Sequence, residues 1–261
     1  MSFRTFESAH IGNGIHHVTV KSAALSRRAD ISFYVPPDAK AEKLPLVILL
    51  HGVYGSHWAW LYKAGAHQVL DRLIKEENLP PMMLAMPSDG LWGDGSGYVR
   101  HCDADYSSWI VDEVPKAAAQ IDARCMDSPR FISGLSMGGY GALRLGLLHP
   151  KKFTGISAHS SITDVPPQMQ DFVEESLVEF HLTETAPLAV IDCAKLCSRL
   201  PHLRFDCGTE DTLIDPNRTL PRDLLAAGIP HVYEEFPGSH TWDYWHVHLA
   251  DTLRFFKACL R

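Results

Sequence analysis

The sequence lacks long apolar runs, internal repeats and a strong excess of one charge. No stretch approaches the roughly 18 consecutive apolar residues of a membrane-spanning helix, and the first residues lack the apolar core of an export signal. The formal net charge of −7 is mild and argues against a nucleic-acid or anionic-membrane surface. We therefore expect a soluble, cytoplasmic protein that binds a small molecule, with homo-oligomerisation left open.

The six cysteines form neither a C-x-x-C pair nor a zinc-ribbon pattern, so we expect free thiols in a reducing compartment. No carboxylate or cysteine completes a metal-ligand set around His246 and His248. The glycine-rich stretch 93–97 is followed by Tyr98, at the position where a dinucleotide-binding fingerprint requires its last glycine. The sequence thus predicts neither a metal ion nor an organic cofactor.

Strand-like and helix-like segments alternate along the chain. Apolar or β-branched runs predict strands at 14–21, 29–35, 46–50, 82–86, 131–134, 153–158, 202–207 and 232–236. Helical patterns cover 58–77, 103–123, 137–148 and the stretch from Trp242 to Leu260. This order predicts one α/β domain over residues 1–261, with a mostly parallel sheet and helices on both faces. Residues 160–195 break the rhythm and predict an insertion over the active site.

Residues 134–138 (GLSMG) spell the motif G-x-S-x-G between a predicted strand and a predicted helix. The motif needs this setting, because a sharp turn strains the serine and leaves room only for glycine two residues away. Ser136 would then stand at the carboxyl edge of the sheet, with the N–H of Met137 directed at an incoming carbonyl oxygen. The pattern predicts a serine nucleophile on an α/β-hydrolase fold.

A serine nucleophile needs a histidine base, and a buried carboxylate must orient that base. In this fold the acid follows the nucleophile in the chain and precedes the base. Asp211 comes just after the predicted strand 202–207 and is the preferred acid. Glu210 and Asp215 are its rivals, whereas Asp206 falls within the strand.

The preferred base is His240, in a loop of small residues between the strand 232–236 and the last helix. His246 and His248 fall within that helix and are interpreted as ordinary helix residues. Fifteen histidines are present, so position rather than rarity selects His240.

The second oxyanion donor is expected in the loop that follows the strand 46–50. This loop begins with His51 and Gly52, and glycine permits the backbone to approach the substrate closely. The N–H of Val53 is the preferred donor, with that of Tyr54 as the alternative.

Four motifs then suggest a family: 49–55 (LLHGVYG), 134–142 (GLSMGGYGA), 208–211 (GTED) and 238–245 (GSHTWDYW). In these the chain resembles the esterase D-like α/β-hydrolases. That family includes carbohydrate esterase family 1 feruloyl and acetyl esterases, tributyrin esterases and S-formylglutathione hydrolases. The resemblance implies a triad of Ser136, Asp211 and His240, with an oxyanion hole formed by the N–H groups of Val53 and Met137.

The expected function is hydrolysis of acetyl, butyryl or feruloyl esters through an acyl-enzyme. Aromatic side chains near the predicted loops are candidate substrate contacts: Tyr54, Trp58, Trp92, Tyr140 and Trp242. The alternatives are a thioesterase of the S-formylglutathione hydrolase type, an acyltransferase, and an inactive hydrolase-fold binding module. The His51–Gly52 pair and Tyr140 depart from the S-formylglutathione hydrolase pattern.

Overall fold

The computed structural model describes residues 3–37, 39–165, 167–174 and 183–260. Within them, nine strands form one sheet in the order β1-β2-β3-β5-β4-β6-β7-β8-β9. The strands are β1 Arg4–Gly12, β2 Ile15–Lys21, β3 Arg28–Tyr34, β4 Leu46–Leu50, β5 Met83–Pro87, β6 Arg130–Leu135, β7 Gly155–His159, β8 His202–Gly208 and β9 Val232–Phe236. Strands β1, β2 and β3 pair antiparallel, as do β3 and β5, and all further pairs are parallel.

Helices cover both faces of the sheet. They are α1 Ala59–Tyr62, α2 Ala66–Glu77, α3 Tyr106–Ser108, α4 Val114–Ile121, α5 Met137–Leu148, α6 Val190–Leu196, α7 Ile214–Ala226 and α8 Trp242–Ala258. Helices α1, α2 and α8 pack on one face, and α3 to α7 pack on the other. This arrangement confirms the predicted α/β-hydrolase architecture.

Strand β4 illustrates why the sheet needs both layers. All five of its residues are buried, and successive side chains point to opposite faces. Leu46, Ile48 and Leu50 join the core beneath α3 to α7, while Val47 and Leu49 join the core beneath α1, α2 and α8. A continuous apolar run is therefore what a central strand covered on both faces requires.

The structure adds a strand that the sequence analysis did not predict. Strand β1 forms a hairpin with β2 through Asn13 and Gly14, whose φ angles are 49° and 78°. Both central residues of this tight turn need positive φ, for which Asn-Gly is the favoured pair. The turn signal was thus present in the sequence, and it marks the boundary between the two strands.

The predicted helices 58–77 and 103–123 are interrupted. Gly65, with φ of 57°, separates α1 from α2. A turn of π-helix, Trp109–Glu113, joins α3 to α4. The described residues between β7 and α6 form neither strand nor helix. No helix in the described ranges is long and apolar enough to cross a membrane.

Candidate active site

Ser136, Asp211 and His240 lie in three loops at the carboxyl edge of the parallel strands. Ser136 separates β6 from α5, Asp211 follows β8, and His240 follows β9. Parallel strands bring their carboxyl ends to one edge of the sheet, so residues distant in sequence meet there. The sheet order thereby assembles the site.

The nucleophile turn is tight and strained. Ser136 has φ of 54° and ψ of −121°, which is unfavourable for a residue with a side chain. A methyl group on Gly134 would lie 2.2 Å from the carbonyl oxygen of Gly138, and one on Gly138 would lie 2.3 Å from that of Leu50. Both glycines are therefore required sterically, for the reason that the motif suggests.

Ser136 is 2% exposed, and its Oγ makes no hydrogen bond to any residue that the structure describes. It is therefore not hydrogen-bonded to His240 in this conformation. Such bonds are often long in unliganded enzymes and tighten when substrate binds. The hydroxyl is nonetheless free of competing donors and acceptors in the described part of the chain.

His240 and Asp211 form a directly bonded pair. The Nδ1 of His240 lies 3.0 Å from each carboxylate oxygen of Asp211. The carboxylate is fully buried, and its Oδ1 also accepts the N–H of Leu213 at 2.8 Å. Burial by itself would raise the pKa of Asp211, but the hydrogen bond and charge of His240, with hydrogen bonds from Leu213 and Ser160, together hold the pKa below its ordinary value. Asp211 therefore remains an anion that accepts the Nδ1 proton of His240.

The acid and base loops pack backbone against backbone. A methyl group on Gly208 would lie 2.2 Å from the carbonyl oxygen of Gly238. The N–H of Glu210 donates to that same oxygen at 2.9 Å, and the N–H of Thr209 donates to Phe236 at 2.8 Å. This contact fixes the separation of the two loops and hence that of the Asp211–His240 pair.

The alternative acids and histidines lie elsewhere. Glu210 is exposed, and Asp215 is exposed in the first turn of α7. Within α8, the Nδ1 of His246 bonds to a backbone carbonyl and that of His248 bonds to Asp251. Among the described residues, no group of three or more His, Cys, Asp or Glu side chains could hold a metal ion.

The first predicted oxyanion donor, Met137, begins α5 directly after the serine. The N–H of a first helical residue has no partner within its helix. In the described ranges, the N–H of Met137 donates to no backbone carbonyl outside the helix either. It is therefore available to an oxygen bound beside Ser136.

The second predicted donor lies in the loop after β4. A methyl group on Gly52 would lie 3.3 Å from the Cβ of Ser136, which places this loop against the nucleophile. The N–H of Tyr54 is occupied, because it donates to the carbonyl of Asp94 at 2.9 Å. The N–H of Val53 bonds to no described residue. Of the two alternatives, the geometry favours Val53.

Three of the predicted aromatic contacts are accessible. Tyr54 is 67% exposed, and Trp58 and Trp242 are partly exposed. The Nζ of Lys63 lies 5.9 Å from the ring centroid of Trp58 and 5.6 Å from that of Trp242. Trp242 meets Trp245 edge to face at 5.2 Å, and Trp245 meets His240 in the same way at 4.9 Å. A series of edge-to-face ring contacts therefore connects the partly exposed Trp242 with His240, the candidate base.

The other two predicted contacts are less accessible. Trp92 is partly buried and packs edge-on against His101 at 4.9 Å. Tyr140 is fully buried in α5, and its hydroxyl donates to the carbonyl of Leu188 at 2.8 Å. Tyr140 occupies a core position and is therefore left out of the proposed substrate site.

Residues 167–174, within the predicted insertion, contact the site. The ring of Phe172 stacks on His240 with centroids 5.9 Å apart. The hydroxyl of Tyr54 donates to the carbonyl of Phe172 at 2.5 Å, and the N–H of Glu174 donates to the carboxylate of Asp94 at 2.7 Å. Phe172 has no local sequence signal, because its partner His240 lies far along the chain.

A second His–Asp pair lies inside the molecule, at Asp206 in β8 and His159 in β7. The Nδ1 of His159 is 3.0 Å and 2.9 Å from the two carboxylate oxygens. Arg204 and the hydroxyl of Tyr244 also donate to Asp206, at 2.6 Å and 2.9 Å. Burial favours a raised pKa for Asp206, but His159 and Arg204 together hold that pKa below its ordinary value.

This pair belongs to a closed ring of hydrogen bonds. Arg204 donates to Ser157 at 3.3 Å, Ser157 contacts Thr252 at 2.7 Å, and Thr252 contacts the Nε2 of His159 at 2.9 Å. Arginine can only donate and an ionised carboxylate can only accept, so Ser157 accepts from Arg204 and the Nδ1 of His159 donates to Asp206. Because all five side chains are buried, the ring ties β7, β8 and α8 together rather than meeting substrate.

Comparison with known proteins places the chain in a family. A family model described as "Putative esterase" matches residues 22–256. An acetyl esterase from Caldicellulosiruptor saccharolyticus is 29% identical over 241 residues, covering 84% of this chain and 85% of that protein. An S-formylglutathione hydrolase from Bos taurus is 24% identical over 254 residues, covering 89% of each.

A solved structure of a ferulic acid esterase has a TM-score of 0.82 at 24% identity, covering 94% of this chain and 97% of that one. At this identity the likeness shows the fold. The family match spans nearly the whole chain. The protein therefore belongs to this esterase family and is a serine carboxylic ester hydrolase with the α/β-hydrolase fold.

Proposed function

We propose that the protein hydrolyses esters of small or aromatic acyl groups, with Ser136 as nucleophile, His240 as base and Asp211 as the acid that orients the base. The observation that carries this proposal is the bonded pair of Asp211 and His240, at 3.0 Å, at the same sheet edge as the strained serine turn. A buried, ionised carboxylate on Nδ1 keeps the proton on that nitrogen. The Nε2 atom is then left to accept a proton from the serine.

In the first step, Ser136 Oγ attacks the ester carbonyl carbon while its proton passes to His240 Nε2. The carbonyl oxygen becomes an oxyanion, which the N–H groups of Val53 and Met137 stabilise. The tetrahedral intermediate collapses, the bond to the alcohol oxygen breaks, and His240 returns the proton to the leaving alcohol. The product of this step is an ester of the substrate acyl group on Ser136.

In the second step, water attacks the acyl-enzyme and gives a proton to His240. The same two N–H groups stabilise the second oxyanion. The bond to Ser136 then breaks, His240 protonates the serine oxygen, and the carboxylic acid is released. None of these steps uses a metal ion or an organic cofactor.

The proposed substrates are acetyl, butyryl and feruloyl esters. The edge-to-face series Trp242–Trp245–His240 supports an aromatic group near the base. The names of the acetyl esterase relative and of the ferulic acid esterase structure support the acetyl and feruloyl groups. The S-formylglutathione hydrolase relative supports a thioester as the second candidate substrate. A cytoplasmic location remains a prediction from the sequence.

The nucleophile is tested with the variant Ser136→Ala and the matched control Ser133→Ala. Ser133 is a buried serine three residues earlier, and its Oγ also makes no hydrogen bond to a described residue. We expect Ser136→Ala to lose at least about 10⁴-fold in kcat on p-nitrophenyl acetate and to lose labelling by a fluorophosphonate, with an unchanged Tm. Ser133→Ala should keep both properties. Turnover by Ser136→Ala at the wild-type rate would reject the assignment.

The acyl and leaving groups are tested by comparing kcat/KM for acetyl, butyryl, feruloyl and S-formylglutathione substrates. We expect the oxygen esters to have the higher values. A higher kcat/KM for S-formylglutathione would favour the thioesterase. Transfer of the acyl group to an added alcohol in preference to water would favour an acyltransferase.

A further inference from the structure

We propose that His51 is a positioning residue for the oxyanion hole, because its ring fixes the peptide between Gly52 and Val53. This inference rests on the proposed function, which assigns the N–H of Val53 to the oxyanion. His51 is 2% exposed and lies directly after β4, so it is too deeply buried to act as a surface acid or base. Its effect on the reaction would pass through the backbone beside it.

The hydrogen bonds of His51 determine which ring nitrogen carries the proton. The N–H of Asp89 donates to Nε2 at 3.1 Å, so Nε2 is an acceptor and the proton is on Nδ1. Nδ1 lies 2.7 Å from the carbonyl oxygen of Gly52, to which it donates. The Asp89 carboxylate is 3.7 Å from Nε2, too far for a hydrogen bond, and it accepts the N–H groups of Leu91 and Ser96 instead.

The carbonyl of Gly52 is held from two directions. It accepts the N–H of Gly55 at 3.2 Å in addition to the ring of His51. In a trans peptide the C=O and the following N–H point in opposite directions. Fixing the Gly52 oxygen on the side of His51 therefore turns the Val53 N–H to the opposite side, in a loop that packs against Ser136.

A purely structural role would need only the bulk of the ring. The ring meets Tyr98 at 6.0 Å in an edge arrangement, and the Tyr98 hydroxyl bonds to the carbonyl of His51 at 3.1 Å. These contacts account for burial of a ring but not for a proton placed on Nδ1. The donor on Nδ1 is what holds the peptide orientation. A donor that is oriented before reaction stabilises the transition state without reorganisation.

The two hydrogen bonds of His51 can be removed one at a time. In His51→Asn the side-chain amide nitrogen takes the place of Nδ1, which keeps the donor to Gly52 and removes the acceptor for Asp89. In His51→Gln the side-chain oxygen takes the place of Nε2, which keeps the acceptor for Asp89 and removes the donor to Gly52. The two variants therefore separate peptide orientation from loop packing.

We expect His51→Gln to lower kcat on p-nitrophenyl acetate by about 10–100-fold, with KM changed by less than about threefold. The Ki of a trifluoromethyl ketone, which forms a tetrahedral oxyanion on the serine, should rise by the same factor as kcat falls. His51→Asn should keep kcat within about threefold of the wild type, even if its Tm is lower. Equal losses of kcat in both variants, or an unchanged kcat in His51→Gln, would overturn the proposal.

The proposal is also testable without a variant. In the wild-type protein, ¹⁵N NMR should place the ring proton of His51 on Nδ1, and a proton on Nε2 would contradict the proposal. Failure of the proposed function gives a different result, because Ser136→Ala would then keep its activity. If Ser136→Ala is inactive while His51→Gln matches the wild type, only the role of His51 is refuted.

Discussion

Replacing Asp211 with Asn should prevent His240 from acting as the base while leaving the fold intact. Both carboxylate oxygens lie 3.0 Å from His240 Nδ1, and Oδ1 also accepts the N–H of Leu213. The asparagine oxygen should therefore take the Oδ1 position, which places the amide NH₂ beside the ring. An NH₂ group donates, so it favours the tautomer of His240 with its proton on Nε2. That nitrogen can then no longer accept the serine proton.

The expected loss in kcat is about 10⁴-fold, or about 5.5 kcal/mol at 1.36 kcal/mol per tenfold change. The loss of charge-assisted hydrogen bonds to a buried carboxylate should cost about 1–3 kcal/mol of stability, which lowers Tm by roughly 3–10 °C. A protein with an ordinary stability remains folded after that change. The lost activity would then reflect the tautomer rather than unfolding.

The assay is hydrolysis of p-nitrophenyl acetate at pH 7, with Tm measured on the same samples. Glu210→Gln is the matched control, because Glu210 is the adjacent carboxylate and is exposed. We expect that control to stay within about twofold of the wild type, as exposed substitutions usually do. A loss smaller than tenfold in Asp211→Asn, or an equal loss in Glu210→Gln, would refute this account of the base.

Two further predictions concern the scaffold. Gly138→Ala should cost at least about 3 kcal/mol in urea unfolding, since its methyl group would lie 2.3 Å from the Leu50 oxygen; wild-type stability would contradict the steric argument. Asp206→Asn should cost about 3–5 kcal/mol, because it removes the fully buried partner of Arg204 and leaves that guanidinium paired only with the partly exposed carboxylate of Glu234. The folded pKa of Asp206 is depressed, so its stabilising contribution is present above the unfolded pKa of about 3.9 and is lost as pH falls through the folded pKa. The wild-type Tm should therefore fall more steeply below pH 4 than that of Asp206→Asn, and parallel Tm profiles would contradict the assignment.

The candidate triad could be predicted from sequence because each member has a local signal. Ser136 is marked by its flanking glycines, and Asp211 and His240 by their places after late strands. The buried pair of His159 and Asp206 has no such signal. Its members are 47 residues apart, and they become neighbours only through the pairing of β7 with β8. Sequence reasoning could place Asp206 within a strand but could not supply its partner.

In the fold too, features with a local sequence signal could be predicted, and features that depend on tertiary contacts could not. The apolar run of β4 lies at the predicted position, because a strand that is buried on both faces of a sheet needs apolar residues throughout. The break at Gly65 and the π-helical turn at Trp109–Glu113 were not predicted. Glu113 in that turn accepts the hydroxyl of Ser22 and the N–H groups of Ala23 and Ala24, which are about ninety residues away. Tertiary contacts of this kind are not visible in local periodicity.

The burial of Ser136 has a kinetic consequence. Its Oγ presents almost no surface, so an ester carbonyl can reach it only after neighbouring atoms shift. Reaction with a covalent reagent must then follow an opening step, and at high reagent concentration the labelling rate should level off at the rate of that step. The limiting labelling rate would thus measure how fast the site opens to a reagent, separately from the reactivity of the hydroxyl itself.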